Sequence, residues 1–158
     1  MAGYMQAEGL DALGRMLQGV SDGAAEIASA GLYAGAGVVA DALTRSVESI
    51  QTEEFHYAPE GSTRLPSPEE KDALRGKVGI ARFQGSSTEI DTLIGFAKAG
   101  YVSLGGRKPV AVIARAINSG TSFMRKQPVF RRATSGARAA ATQATVEAAE
   151  KKLKELIK

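Results

Sequence analysis

Chemistry on a protein chain needs reactive side chains that converge, and this sequence offers few candidates. His56 is the only histidine, set between Phe55 and Tyr57. A nucleophilic triad would have to use it, but no serine sits in the strand–elbow–helix context that exposes such a nucleophile. No spacing of carboxylates around it suggests a metal site, so it reads as a loop or interface histidine. Gly35-Ala36-Gly37-Val38-Val39-Ala40 matches a loose G-x-G-x-x-A. The dinucleotide fingerprint requires a preceding strand, so that the glycines turn the chain around a pyrophosphate. Here the pattern falls inside a helical repeat, and helix packing is the reading. Glu53-Glu54 and Glu69-Glu70 are sequence neighbours, which do not converge on a shared site, so neither reads as an acid/base dyad. Arg125, Lys126, Arg131, Arg132 and Arg138 form the densest basic cluster. Such patches contact phosphates, but they serve equally as a solvated helix face or a subunit contact, and this one lacks the interleaved aromatics of single-strand binders. The expectation is no catalytic, cofactor-binding or metal-ligating residue, and no enzyme.

The elements that would position these groups belong to one domain spanning 1–158, a length sufficient to bury a core without metal or disulfide support. Cysteine is absent, which excludes a disulfide scaffold. Glu8 and Asp11 fall where a signal peptide would be apolar. The longest uncharged apolar run, 27–40, has 14 residues against the ~20 of a membrane helix. Charge is uneven along the chain. Residues 1–60 hold 2 basic and 9 acidic side chains, net −7; residues 61–158 hold 18 and 8, net +10. Such a distribution suits a bipolar subunit joining head to tail in a ring, or a solvated basic tail.

Tyr4-Met5-Gln6-Ala7 reads as a short strand, followed by a helix with Leu10, Leu13, Met16 and Leu17 on one face and a break at 19–23. A long helix is expected over 23–50, with Leu32, Ala36, Val39, Leu43, Val47 and Ile50 recurring every three or four residues. Gly31 and Gly35 in its interior each cost ~1 kcal/mol against Ala, so close backbone approach to another element should offset them. Residues 51–66 read as loop. Ser67-Pro68-Glu69-Glu70 is a capping-box start to a short helix ending near Gly76. Strands are expected at 77–84 and 90–97, and a flexible loop at about 98–108 with a turn at Leu104-Gly105-Gly106-Arg107. A helix follows from Pro109, with Val110, Ile113, Ala114 and Ile117 inward, stopped at 118–122. Pro128 starts a last helix, interrupted at Ser135-Gly136 and regular over about 136–157, with Val146, Ala149, Leu153 and Leu156 as its apolar stripe.

The stretch Ile113-Ala114-Arg115-Ala116-Ile117-Asn118-Ser119-Gly120-Thr121-Ser122-Phe123-Met124-Arg125-Lys126-Gln127-Pro128-Val129-Phe130-Arg131-Arg132-Ala133 resembles the signature of a family of tailed-phage head–tail joining, neck or tail-completion proteins. In that family an Ala-Arg … Gly-Thr helix end leads to a Pro-aromatic-Arg-x-Ala element and a long charged helix. The opening Gly9-Leu10-Asp11 step and amphipathic helix are similar too. This chain departs by carrying Asn118-Ser119 where many members have an acidic residue, by its Pro128-Val129-Phe130 order, and by only echoing a Pro-x-x-Thr-Gly in Pro59-Glu60-Gly61-Ser62-Thr63.

The expected fold is α+β, a small antiparallel or mixed sheet packed by a long N-terminal and a long C-terminal helix. The resemblance implies a virion protein of the head–tail interface, assembled from the host cytoplasm into a homo-oligomeric ring, a hexamer. The ring would meet connector or head-closure proteins on one side and tail terminator or tube on the other. Genome DNA would pass through without sequence-specific binding, and no membrane is involved. Gly120, Thr121, Ser122, Phe123, Pro128, Phe130, Arg131 and Arg132 are the motif and interface candidates. Gly120 should turn the chain, Thr121 and Ser122 should satisfy freed backbone groups, and Phe123 and Phe130 should anchor the turn. A basic DNA-associated protein using the 125–138 cluster remains the alternative.

Overall fold

The computed structural model describes residues 10–54, 61–82, 84–85, 90–97, 101–103 and 107–157; the strand expected at Tyr4-Met5-Gln6-Ala7, His56 and the tip of the 104–107 turn lie outside them. The described chain is a mostly helical α+β fold. Its spine is a pair of helices, α2 (Ala24–Glu48) and α5 (Val129–Leu156). Each is more than 35 Å long at 1.5 Å per residue, taking about 37 Å for α2. They run antiparallel: Gly23 abuts Leu156, Gly31 abuts Thr145 and Ala149, and Gly35 abuts Ala141 and Thr145.

The glycines explain how the two backbones come so close. A Cβ on Gly31 would lie 2.8 Å from the Thr145 carbonyl oxygen, and one on Gly35 would collide with the Thr145 side chain and sit 3.0 Å from the Ala141 carbonyl. Gly37, on the same helix, faces open space. The helix-propensity cost at 31 and 35 is therefore offset by tight packing, whereas the cost at 37 is not. By length and composition α2 is apolar enough to cross a membrane, and of its 25 residues only Gly31, Gly35, Ala36, Leu43 and Val47 are buried in this fold.

At the C-terminal end of α2 the core closes. Leu43, Val47 and Ile50 meet Leu74, Met124, Phe130 and the inward face of α4 (Val110–Ser119): Val110, Ile113, Ala114 and Ile117, all under 5% exposed. Small strands cover one side. β1 (Val78–Ile80) pairs antiparallel with β4 (Ile94–Phe96), Gly79 opposite Gly95. Farther along the hairpin β2 (Gln84–Gly85) pairs with β3 (Ile90–Asp91). Phe96 brings its ring to 4.8 Å from that of Phe130, tilted by 57°, a favourable aromatic geometry.

Several boundaries differ from expectation. The first helix, α1 (Leu10–Asp22), runs through Gly19 and turns only at Gly23, leaving Met16 and Leu17 exposed. The strands at 77–84 and 90–97 are each split into two short pieces. Within the expected loop at 98–108, β5 (Tyr101–Ser103) pairs with β6 (Arg107–Pro109), so Arg107 is in a strand. The last helix begins at Val129, directly after Pro128 as expected, but it is unbroken at Ser135-Gly136, because Gly136 is exposed and nothing there interrupts the helical hydrogen bonds. Its inward residue near the spine contact is Thr145; Val146, placed in the stripe by periodicity, is 49% exposed.

Gly37→Ala should raise stability by about 0.5–1 kcal/mol, the gain in helix propensity. Gly31→Ala, with the same propensity gain, should instead lower the urea midpoint, because the backbone oxygen of Thr145 cannot move aside without separating the helices. Equal stabilisation by both would show that the helices are not in close contact at Gly31.

Candidate functional site

Between α4 and α5 the chain makes one corner, and most of the motif residues lie in it. Gly120 ends α4 by donating its N–H to the Ala116 carbonyl at 2.8 Å. Its φ of +78° is a region that other residues adopt at a cost, and a Cβ there would lie 3.0 Å from Cβ of Lys126. The Thr121 hydroxyl accepts from the N–H of Met124 at 3.0 Å and of Phe123 at 3.4 Å, while the Thr121 N–H donates to the Met124 carbonyl at 2.9 Å. Thr121 takes the local bonding role expected of it; Ser122 is exposed and does not share that role.

Three further attachments make the corner rigid. Arg64 forms a parallel bridge with Met124: its N–H donates to the Phe123 carbonyl at 3.0 Å and its carbonyl accepts from Arg125 at 2.8 Å. Gln127 uses its side-chain amide as a substitute peptide, accepting from the Gln51 N–H and donating to the Gln51 carbonyl, both at 2.9 Å. Asn118 Oδ1 accepts from the Arg131 N–H at 3.1 Å. Helix α5 starts after Pro128, which has no side-chain acceptor, so Asn118 supplies from α4 the cap that α5 lacks.

The Arg64 guanidinium ties the corner to α3 (Pro68–Asp72). It forms two 2.8 Å bonds to the Glu70 carboxylate, whose side chain is 4% exposed, and a third to the Leu65 carbonyl. Glu70 also closes the expected capping box: it accepts from the Ser67 N–H at 3.0 Å, and its own N–H donates to the Ser67 hydroxyl. Bonding to Glu70 pushes the Arg64 pKa up. A hydrogen bond from the Ser67 hydroxyl holds Glu69 below its usual value. Beside this, Arg75 grips Glu48 through two 2.8 Å bonds and, helped by Lys71, holds the Glu48 carboxyl below the ordinary 4.5.

The two phenylalanines take different positions. Phe130 is 7% exposed and anchors the corner in the core, whereas Phe123 is 46% exposed at its tip. Pro128 is half-buried at the start of α5, and Arg131 and Arg132 are exposed. Sequence reasoning missed Met124, Asn118 and Gln127 as structural parts of the motif, and missed Arg64 altogether, because isolated residues in loops carry no periodic signal. The Glu69-Glu70 pair separates as expected, one carboxylate exposed and the other buried.

The charge asymmetry of the sequence is not a separation in space. Antiparallel packing sets the acidic α2 against the basic α5, and Lys152 bonds Glu26 at 3.2 Å within the same chain. A groove of about 590 Å³ between α2, α5 and the strands has Asp91 and Arg138 as its only ionisable lining residues among the described ones. Among the described residues no group of three His, Cys, Asp or Glu gathers as a metal site. Comparison with protein-family models, curated proteins and solved structures returned no match.

Glu70→Ala would remove both carboxylate bonds of a largely buried guanidinium and should cost about 3 kcal/mol or more. Asn118→Ala should cost about 1 kcal/mol through the lost cap. Urea denaturation measures both; a loss below half a kcal/mol for Glu70→Ala would mean that Arg64 finds another partner. The sign for Glu48 is that of a lowered carboxylate: its contribution is complete above pH 4.5 and is lost as pH falls through the folded-state value. Glu48→Gln should therefore flatten the acid limb of stability below pH 4.5.

Proposed function

We propose that this chain is a non-catalytic structural subunit of the neck of a tailed bacteriophage, forming a homo-oligomeric ring of six copies. The ring joins the portal side of the head to the tail tube around the DNA path. The carrying observation is how the motif segment is used. Gly120, Thr121, Met124, Gln127 and Asn118 are committed to backbone bonds that fix a corner, and Phe123 is left 46% exposed at the tip of that corner. A rigid corner carrying an exposed aromatic suits docking, since interface hot spots are enriched in aromatics held by well-packed surroundings.

Two of the departures from the family signature are compatible with the same reading. Asn118 stands near the position where many members carry an acid, and the corner uses it for an acceptor oxygen, which a carboxylate would also supply. The shifted aromatic, Phe130, is buried in the core and packs its ring, tilted, against that of Phe96. These two of the three departures keep the corner that the signature implies. On this reading the partners are further copies of the chain and the adjacent connector and tail proteins, and the chain's place is the head–tail interface of the virion.

The test is to mix the purified chain with phage tails that lack their upper end and to weigh the recovered complex. The expected result is capture as a ring of defined copy number, reduced at least about tenfold in affinity by Phe123→Ala, in the range of a hot-spot truncation. A chain that attaches neither to tails nor to filled heads would overturn the reading.

A further inference from the structure

From Thr92 to Val146 the chain has nine Lys and Arg residues and no Asp or Glu. The described side chains among them, Arg115, Arg125, Lys126, Arg131, Arg132 and Arg138, are all exposed. The ion pairs of the described residues lie elsewhere, on Arg64, Lys71, Arg75, Lys152 and Lys154. On α5, Arg131 and Arg138 are two turns apart and share a side. The exposed residues around them are small or polar: Ser135, Gly136, Ala139, Ala140, Thr142 and Gln143. No large hydrophobic residue is exposed between Phe123 and Val146. Acidic residues reappear only at Glu147.

We propose that the cationic surface carrying Arg125, Lys126, Arg131, Arg132 and Arg138, where Asp91 lines the same groove as Arg138, binds the phosphate backbone of duplex DNA without reading its sequence. Unpaired exposed cations repel one another, and a polyanion relieves that repulsion while releasing its own counterions. Four of the five are arginines, whose planar fork matches a phosphate. The surroundings separate this partner from others. Protein interfaces are anchored by apolar and aromatic side chains, and a membrane surface needs apolar residues to insert; Phe123 and Val146 border the cluster, and no large hydrophobic side chain is exposed between them. Protein–DNA interfaces are polar and strongly cationic, and hydroxyls such as those of Ser135 and Thr142 commonly add phosphate contacts. The inference does not rest on the neck reading, since it needs only one copy of the chain.

The experiment is fluorescence anisotropy of the full chain with a labelled random-sequence duplex between 50 and 200 mM salt. With about five phosphate contacts the affinity should fall roughly 500-fold over that range, the slope of log K against log salt being about −4.5. The variant Arg131→Gln/Arg132→Gln/Arg138→Gln should bring the slope to about −2 with its circular dichroism and melting unchanged, since all three side chains are exposed. A control with the same kind of change elsewhere, Arg82→Gln/Lys151→Gln, both exposed, should leave the slope near that of the parent. No binding at 50 mM salt, or a slope equally altered by the control, would overturn the proposal. So would a triple variant that keeps its DNA affinity but changes its oligomeric mass, which would assign the surface to a protein partner. Capture by tails is a separate measurement, so either result can fail alone.

Discussion

The close approach of α2 and α5 at Gly31 and Gly35 is the constraint on which the rest of the fold depends. With the Thr145 carbonyl only 2.8 Å from where a Cβ would stand on Gly31, the two backbones have no freedom to separate or slide without losing contact along the whole spine. That contact sets the antiparallel alignment, and the alignment brings the end of α2 to the start of α5. Leu43, Val47 and Ile50 from one helix and Phe130 from the other then meet, and α4 closes the core over them. The corner is built at this junction because both long helices are already fixed there.

Polar groups, rather than further apolar area, give the corner its definition. It has few residues to bury, and its backbone would be left unsatisfied without partners. Thr121, Gln127 and Asn118 each take up main-chain groups that no regular element satisfies, and the Arg64–Glu70 pair carries that order across to α3. Buried ion pairs add little net stability compared with apolar packing, but breaking one is expensive. The pair therefore makes the corner a single arrangement. Four basic residues of the cluster flank Gln127 and the start of α5, and their positions follow from those bonds even though their own side chains stay in solvent.

Charge shows how a linear pattern can mislead. The sequence separates acid from base by halves, yet the fold runs one half back along the other and pairs Lys152 with Glu26 internally. What survives folding is smaller and more local: a run of exposed cations along the first half of α5 and the corner before it. Only the folded chain reveals which cations have already found an acid and which have not.

Local sequence pattern determined the existence of the two long helices, the inward face of α4 and the capping box at Ser67. Repeated apolar spacing and local cap chemistry are properties of neighbouring residues, legible without knowing what lies across the core. It also marked Gly31 and Gly35 as needing a reason. The tertiary structure alone supplied that reason in α5, and it alone decided that Phe130 is buried while Phe123 is exposed, that Thr145 rather than Val146 faces α2, and that Gly136 does not break its helix. Each of those outcomes depends on a partner far away in sequence. The contacts Arg64–Glu70 across to Met124, Gln51–Gln127 and Asn118–Arg131 are of the same kind: single polar residues whose roles exist only once chain topology has placed their partners within hydrogen-bond reach.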